Sequence, residues 1–244
     1  MKSKNNLIKI LALIIFNTIT NNIVYSQAQE IDKTEAELLY NLEYYLNKNN
    51  SKENNIEYNK IAGSPYIYED FKKGNVFFKN GESFLNCMIN YNAYDNEMEF
   101  KIKSELYTVK NPEDILRVEV NDDVFLYKCF TYNKQVEKGL LMQIVNDKIS
   151  LFKKESIEFI AAKDAINTYE DKKPAQFKKR QSQYYIGLSD GSIFLINNKR
   201  ELLKKMTVYS DLKLFMKKEK INLKSEEDII RLIKYLNEKE YTLL

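Results

Sequence analysis

Residues 75–103 read NVFFKNGESFLNCMINYNAYDNEMEFKIK, and this stretch decides the fold. Strands are predicted at 75–79 and 83–91, on either side of Asn80-Gly81, the strongest two-residue hairpin signal. From Glu97 the alternation is clean, with Met98, Phe100 and Ile102 on one face of a strand running to Lys103.

Working outward, the period of two persists. Residues 105–109 extend it and Asn111-Pro112 interrupts it. Strands follow at 116–120 and 124–132 around Asp122-Asp123, at 139–145 and 148–152 around Asn146-Asp147, and more weakly at 156–162. Residues 164–180 are charged, contain Pro174, and read as a surface loop. A last hairpin joins 183–188 to 192–196 through Asp190-Gly191. The period then becomes helical at 200–206 and 210–218. A third helix starts at Ser225, with Asp228 in the capping-box position and Ile229, Ile230, Leu232, Ile233 and Leu236 as its apolar stripe.

Upstream, residues 30–50 read as a helix through Leu38, Leu39, Leu42, Tyr45 and Leu46, and the Asn-rich run 49–55 reads as a linker. The expected class is α+β: an antiparallel β meander or partly open barrel, with an N-terminal helix and C-terminal helices. The expected organisation is a signal peptide at 1–26, a helix and linker at 27–55, and a β-rich domain with a helical tail at 56–244.

The N-terminus carries Lys2, Lys4 and Lys9 ahead of the short apolar run ILALIIF at 10–16. Val24-Tyr25-Ser26 and Ser26-Gln27-Ala28 offer cleavage frames for an export signal. Asn17, Asn21 and Asn22 break the run well short of the roughly 20 apolar residues of a membrane span, so no transmembrane segment is expected after cleavage. The expected address is exported: periplasmic, outer-membrane associated or extracellular. The chain has 38 basic and 35 acidic residues; three of the basic ones, and no acid, lie in 1–26, leaving 35 of each. A neutral remainder removes the simplest argument for a nucleic-acid partner.

Histidine is absent, which excludes serine–histidine and cysteine–histidine nucleophile activation and every His-containing zinc site. Two cysteines are too few for an all-thiolate zinc site. Cys87 and Cys129 are candidate disulfide partners in an oxidising compartment, or two small buried hydrophobes.

Gly187-Leu188-Ser189-Asp190-Gly191 matches the G-x-S-x-G elbow, but a strand leaves it and no histidine exists to take a proton; a hairpin turn explains the same residues. Ser210–Lys213 and Ser150–Lys153 match S-x-x-K, but the first is better explained as Ser210 capping a helix and the second as a strand edge. Asp95, Glu97 and Glu99 offer oxygen ligands to calcium, although a half-exposed strand places polar residues there as well. No catalytic residue, metal ligand or cofactor is assigned. Tyrosines are numerous, 18 of them with 13 phenylalanines and no tryptophan. Tyr66, Tyr68, Tyr91, Tyr94, Tyr127, Tyr132, Tyr184 and Tyr185 suit either an interface or the core. The binding candidates are Tyr66, Tyr91, Tyr94, Glu97 and Glu99.

Gly63-Ser64-Pro65-Tyr66, Phe71, Gly74, Gly81 and Tyr91-Asn92-Ala93-Tyr94-Asp95-Asn96-Glu97-Met98-Glu99-Phe100 resemble a group of uncharacterised exported proteins of Bacteroidota. The pattern departs at Asn90, where the group has Arg, and at Asp95-Asn96, where it has Asn-Asp. The resemblance implies an envelope or secreted location and no particular activity. The functional expectation is a non-enzymatic envelope component that binds another envelope protein or a glycan. The alternatives are a small-ligand or glycan module, or a hydrolase built on two carboxylates.

Overall fold

The structure, a computed structural model, describes residues 44–48, 61–163 and 172–242. Helical residues Tyr44 and Tyr45 belong to a unit ending at Tyr45, and everything after it to a second unit. The signal peptide, and most of the predicted N-terminal helix and linker, lie outside the described residues. The far end of that helix is corrected: Leu46–Lys48 is strand β1, paired antiparallel with β5 (Glu105–Val109). Leu46 repeats at helical spacing, but pairing its backbone with Val109 satisfies the same burial in a strand.

The predicted hairpins form. β2 (Lys72–Phe78), β3 (Ser83–Asn92), β4 (Glu97–Ile102) and β5 run as an antiparallel meander. Asn86, in the left-handed region at φ 58°, bulges β3, so that Phe84 and Cys87 both face inward. β6 (Ile115–Val120) then pairs with β2, on the far side of the meander from β5. Four strand spacings, roughly 19 Å, separate β5 from β6 in a flat sheet. The link between them is only residues 110–114, and Pro112–Asp114 is a compact 3₁₀ turn. The link is too short for a flat sheet, so the sheet curls.

β7 (Asp123–Tyr132) and β8 (Gln135–Val145) form a long hairpin closed by Asn133 and Lys134, both at positive φ (47° and 67°), as a two-residue turn of the favoured hand requires. β9 (Ser150–Lys154), β12 (Gln183–Gly187) and β13 (Ile193–Leu195) follow. β13 then lies parallel to β7, and the ring β7-β13-β12-β9-β8 closes on itself as a five-stranded barrel. Eleven of the described strands thus form one sheet, part curled meander and part closed barrel. The loop predicted at 164–180 is corrected in part: Gln176–Lys179 is a strand, β11, paired with β10 (Ile157–Ile160) in a separate two-stranded sheet.

Alternation then sorts the side chains. Phe130, Leu141, Phe152, Tyr185 and Ile193 fill the barrel, with the Phe130 and Tyr185 rings edge to face at 4.9 Å. Gly187 is required here, because a Cβ would sit 2.7 Å from a Phe152 ring carbon. On β7, Phe125 points the other way, to Tyr91 of the meander at 5.1 Å between ring centres. Leu151, Tyr184 and Ile186 on the barrel's remaining flank pack against three helices: α1 (Lys199–Lys205), α2 (Leu212–Lys218) and α3 (Glu226–Thr242). Asn198 caps α1 by accepting from the Glu201 N–H at 2.9 Å. Ser225 accepts from the Asp228 N–H at 3.4 Å at the start of α3. Ser210, expected as the cap of the middle helix, lies one residue too early; Asp211 occupies that position and makes no side-chain cap. Among the described residues no helix is long and apolar enough to cross a membrane.

A buried amide helps fasten α3 to the barrel. Asn237, 4% exposed, donates to the Ile149 carbonyl at 2.9 Å and accepts from its N–H at 2.8 Å. Both backbone groups are buried and lose their partner if the amide goes. Asn237→Leu is expected to cost about 1–3 kcal/mol, read as a lowered urea midpoint at unchanged slope.

Candidate functional site

The two sequence blocks 63–66 and 91–100 come together at one end of the meander. Asn92 ends β3, and its Oδ1 accepts from the N–H groups of Tyr94 and Asp95 at 3.1 Å each, shaping the turn into β4. Asn96, at φ 58°, closes that turn. Its Oδ1 accepts from the Tyr91 hydroxyl at 2.8 Å and the Leu140 N–H at 3.2 Å, tying the turn to the barrel. Gly139 makes room for this, since a Cβ there would stand 2.3 Å from Asn96 Nδ2. The loop before β2 lies across the same end: Ala93 donates to the Pro65 carbonyl at 2.9 Å and Ile67 to that of Tyr91 at 3.1 Å.

That cover changes the fate of the carboxylates. Glu97 and Glu99 share the face opposite Met98, Phe100 and Ile102, as expected of a half-exposed strand, yet Glu99 is fully buried. Its Oε2 accepts from the Tyr66 hydroxyl at 2.5 Å and its Oε1 from Asn92 Nδ2 at 2.8 Å. Asn92 Nδ2 also reaches Asp95 Oδ2 at 3.1 Å. Carboxylate oxygens of Asp95, Glu97 and Glu99 lie within 4.8 Å of one another. Beside them, Tyr94 (40% exposed) and Phe159 (36%) each pack against Phe177 at 5.5 Å.

Of the five binding candidates, four meet here: Tyr66, Tyr94, Glu97 and Glu99. Tyr91 lies on the opposite face, in the core, and its side chain reaches the site's turn through Asn96. The other tyrosines disperse, Tyr185 into the barrel and Tyr184 under the helices. The asparagines Asn90, Asn92 and Asn96 organise the end, yet composition hides them in an Asn-rich chain. Their signal lies in position, within and beside Tyr91-Asn92-Ala93-Tyr94-Asp95-Asn96.

A second charged group sits where β9 and β12 meet α3. Lys153 Nζ lies 3.0 Å from Glu155 and 2.9 Å from Glu226, so a lysine stands between two carboxylates. Glu155 is 5% exposed and also contacts Lys179 at 3.2 Å and the Ser182 hydroxyl at 2.8 Å. Burial pushes its carboxyl up, but hydrogen bonds from Lys153 and Ser182 and the charges of Lys153 and Lys179 outweigh that, leaving it below its ordinary range. A general acid needs the reverse shift, so this group reads as an ion-pair clamp on the helix.

The remaining motifs resolve as local structure. Gly187–Gly191 is a hairpin turn in which Asp190 accepts from the Ser192 N–H at 2.8 Å. Cys87 and Cys129 are both free, the first buried and the second exposed. Cys87 lies on β3 and Cys129 on β7, with β2 and β6 between them in the sheet. They are not neighbours in the sheet and form no disulfide. Burial pushes the Cys87 thiol up to about 11. The chain was compared with protein-family models, curated proteins and solved structures, and none of them matches.

Two outcomes follow. Tyr66→Phe strips a hydrogen bond from buried Glu99 and is expected to lower stability by about 1–3 kcal/mol in urea melts. Because folding lowers the Glu155 carboxyl, its contribution is present above the ordinary value of 4.5 and fades as pH falls through the lower folded value. Melting temperature is therefore expected to drop below about pH 4.5, and Glu155→Gln to flatten that part of the profile while lowering stability at pH 7.

Proposed function

We propose that this protein is an exported, non-enzymatic component of the cell envelope that binds another envelope protein through the β3–β4 end. The observation that carries the reading is the convergence of 63–66 and 91–100 on one exposed edge. There Tyr94 and Phe159 are held outward on Phe177 while the polar side chains beneath them are engaged in structure. Rigid aromatics with an apolar body are the groups that anchor protein interfaces at low entropic cost.

Three further points support it. The signal-like residues 1–26 and the resemblance to exported Bacteroidota proteins favour an address outside the cytoplasm. The G-x-S-x-G segment is a hairpin turn rather than a strand-to-helix elbow, which disfavours a serine hydrolase reading. The cavity beneath the β3–β4 turn, lined by Asn96, Met98, Val109, Ile115 and Leu140 among others, measures about 30 Å³. That is space for one water, against 300–1,000 Å³ for a small-molecule site, so this cavity does not itself suit a small-molecule ligand.

The test is mild crosslinking in envelope preparations followed by co-purification. A discrete adduct is expected, reduced at least tenfold by Tyr94→Ala with Phe159→Ala at unchanged melting temperature. A chain that stays monomeric and unlinked sinks the reading, and capture of polysaccharide in place of protein moves it to the glycan alternative.

A further inference from the structure

Acids and bases balance over residues 27–244, at 35 of each, but the balance is not local. From Lys199 to Lys224, through α1, α2 and the turns after them, nine basic residues stand against three acids. Two of those acids are engaged by α3: Asp211 lies 2.9 Å from Lys239, and Glu219 lies 3.8 Å from Arg231. Lys204, Lys213, Lys217, Lys218, Lys220 and Lys224 are all exposed and make no ion pair among the described residues.

Local structure accounts for part of this charge and not the rest. Lys204, Lys205, Lys217 and Lys218 end helices, where cations suit the dipole. Lys213 stands in the first turn of α2, the end that disfavours a cation. Lys220 follows α2 at φ 52°, in the left-handed position where glycine is the ordinary residue. Two apolar side chains protrude from the same segment. Val208, on the turn between α1 and α2, is 73% exposed, and Leu214, on α2, is 69% exposed. Leu212 and Met216 are the buried face of α2, and Leu214 lies on the opposite face. Lys217 and Lys218, three and four residues on, flank it on either side.

We propose that this corner of the helical layer docks peripherally on a bilayer bearing anionic phospholipid, with the lysines on the phosphate headgroups and Val208 and Leu214 in the interfacial region. The charge surplus calls for an anionic partner. Apolar side chains that protrude, with no pocket around them, suit a partner that supplies the apolar environment itself, as the boundary between headgroups and acyl chains does. Lysine completes the fit, because its stem lies along apolar surface while its ammonium reaches a headgroup. A single nucleic-acid strand would call for exposed rings to stack on. The nearest rings, Phe215 and Tyr235, are stacked on each other instead, with centres 3.7 Å apart. The corner shares no element with the β3–β4 end, so neither reading rests on the other.

The experiment is co-sedimentation of the full chain with phosphatidylcholine vesicles, with and without about one-third phosphatidylglycerol. Binding to the anionic vesicles is expected to be tighter by about tenfold or more in about 0.1 M salt. It is expected to fall away in about 1 M salt, where the screening length shrinks to about 3 Å. Lys213→Glu with Lys217→Glu is expected to weaken binding by about tenfold or more, and Leu214→Ser by about threefold or more. Melting temperatures are expected to stay unchanged, since all three side chains are exposed. Lys73→Glu with Lys178→Glu makes the same change in net charge on exposed strand positions and is expected to bind like the parent. Residues 1–26 are common to every variant, so differences between variants report the corner alone. Equal loss in both charge-reversed chains, equal binding to neutral vesicles, or binding of polyglutamate without binding of vesicles overturns the proposal.

Discussion

β7 sends one fully buried side chain into each of two cores, Phe130 into one and Phe125 into the other, and the rest of the structure depends on that. One row of its side chains, through Phe130, fills the barrel; the other, through Phe125, meets Tyr91 of the meander. A strand in the middle of one sheet can serve two cores only if that sheet folds back over itself. Closure of β7 on β8 and β13 makes the first core, and the curl from β6 to β5 makes the second. The barrel's outer flank then needs cover, which the three C-terminal helices supply through Leu212, Ile229, Leu232, Ile233 and Leu236.

The polar side chains fall into two groups with different work. Where α3 meets the barrel, Asn237 and the Lys153–Glu155–Glu226 group are joints between layers, with buried groups satisfied by partners on another element. Buried pairs of this kind add little net stability but are costly to break singly. At the β3–β4 end the polar groups shape an edge. Asn92 and Asn96 set the turn, Tyr66 pins Glu99, and Asn90 is left with one oxygen to spare. The joints lie between layers, whereas the edge carries the partly exposed aromatics Tyr94 and Phe159. This contrast, more than any motif, distinguishes the joints between layers from the edge on which the proposed binding role rests.

The hairpins and helices were legible locally because each has a local cause. Asn80-Gly81 and Asp190-Gly191 supply residues suited to positive φ, alternation assigns Met98 and Phe100 to a single face, and Ser225 starts a helix with a striped face. The hairpin through Asn133 and Lys134 was missed because lysine at positive φ carries no turn signal. β11 was missed because Pro174 and flanking charges dominate a four-residue strand. Glu99 was expected half-exposed because nothing in EMEFKI shows that residues thirty positions earlier will lie over it.

By itself, then, the sequence determined the strand count to within a few, the β-then-α order, the missing histidine chemistry and the positions of the site's residues along the chain. Each is set by neighbours within a few residues or by composition. Tertiary structure alone decided that β6 returns to β2, that β13 lies parallel to β7, that Cys87 and Cys129 stay apart, and which carboxylates meet. Those outcomes depend on contacts between residues far apart in the chain, where closure is governed by link length and by the burial of both faces of a shared strand.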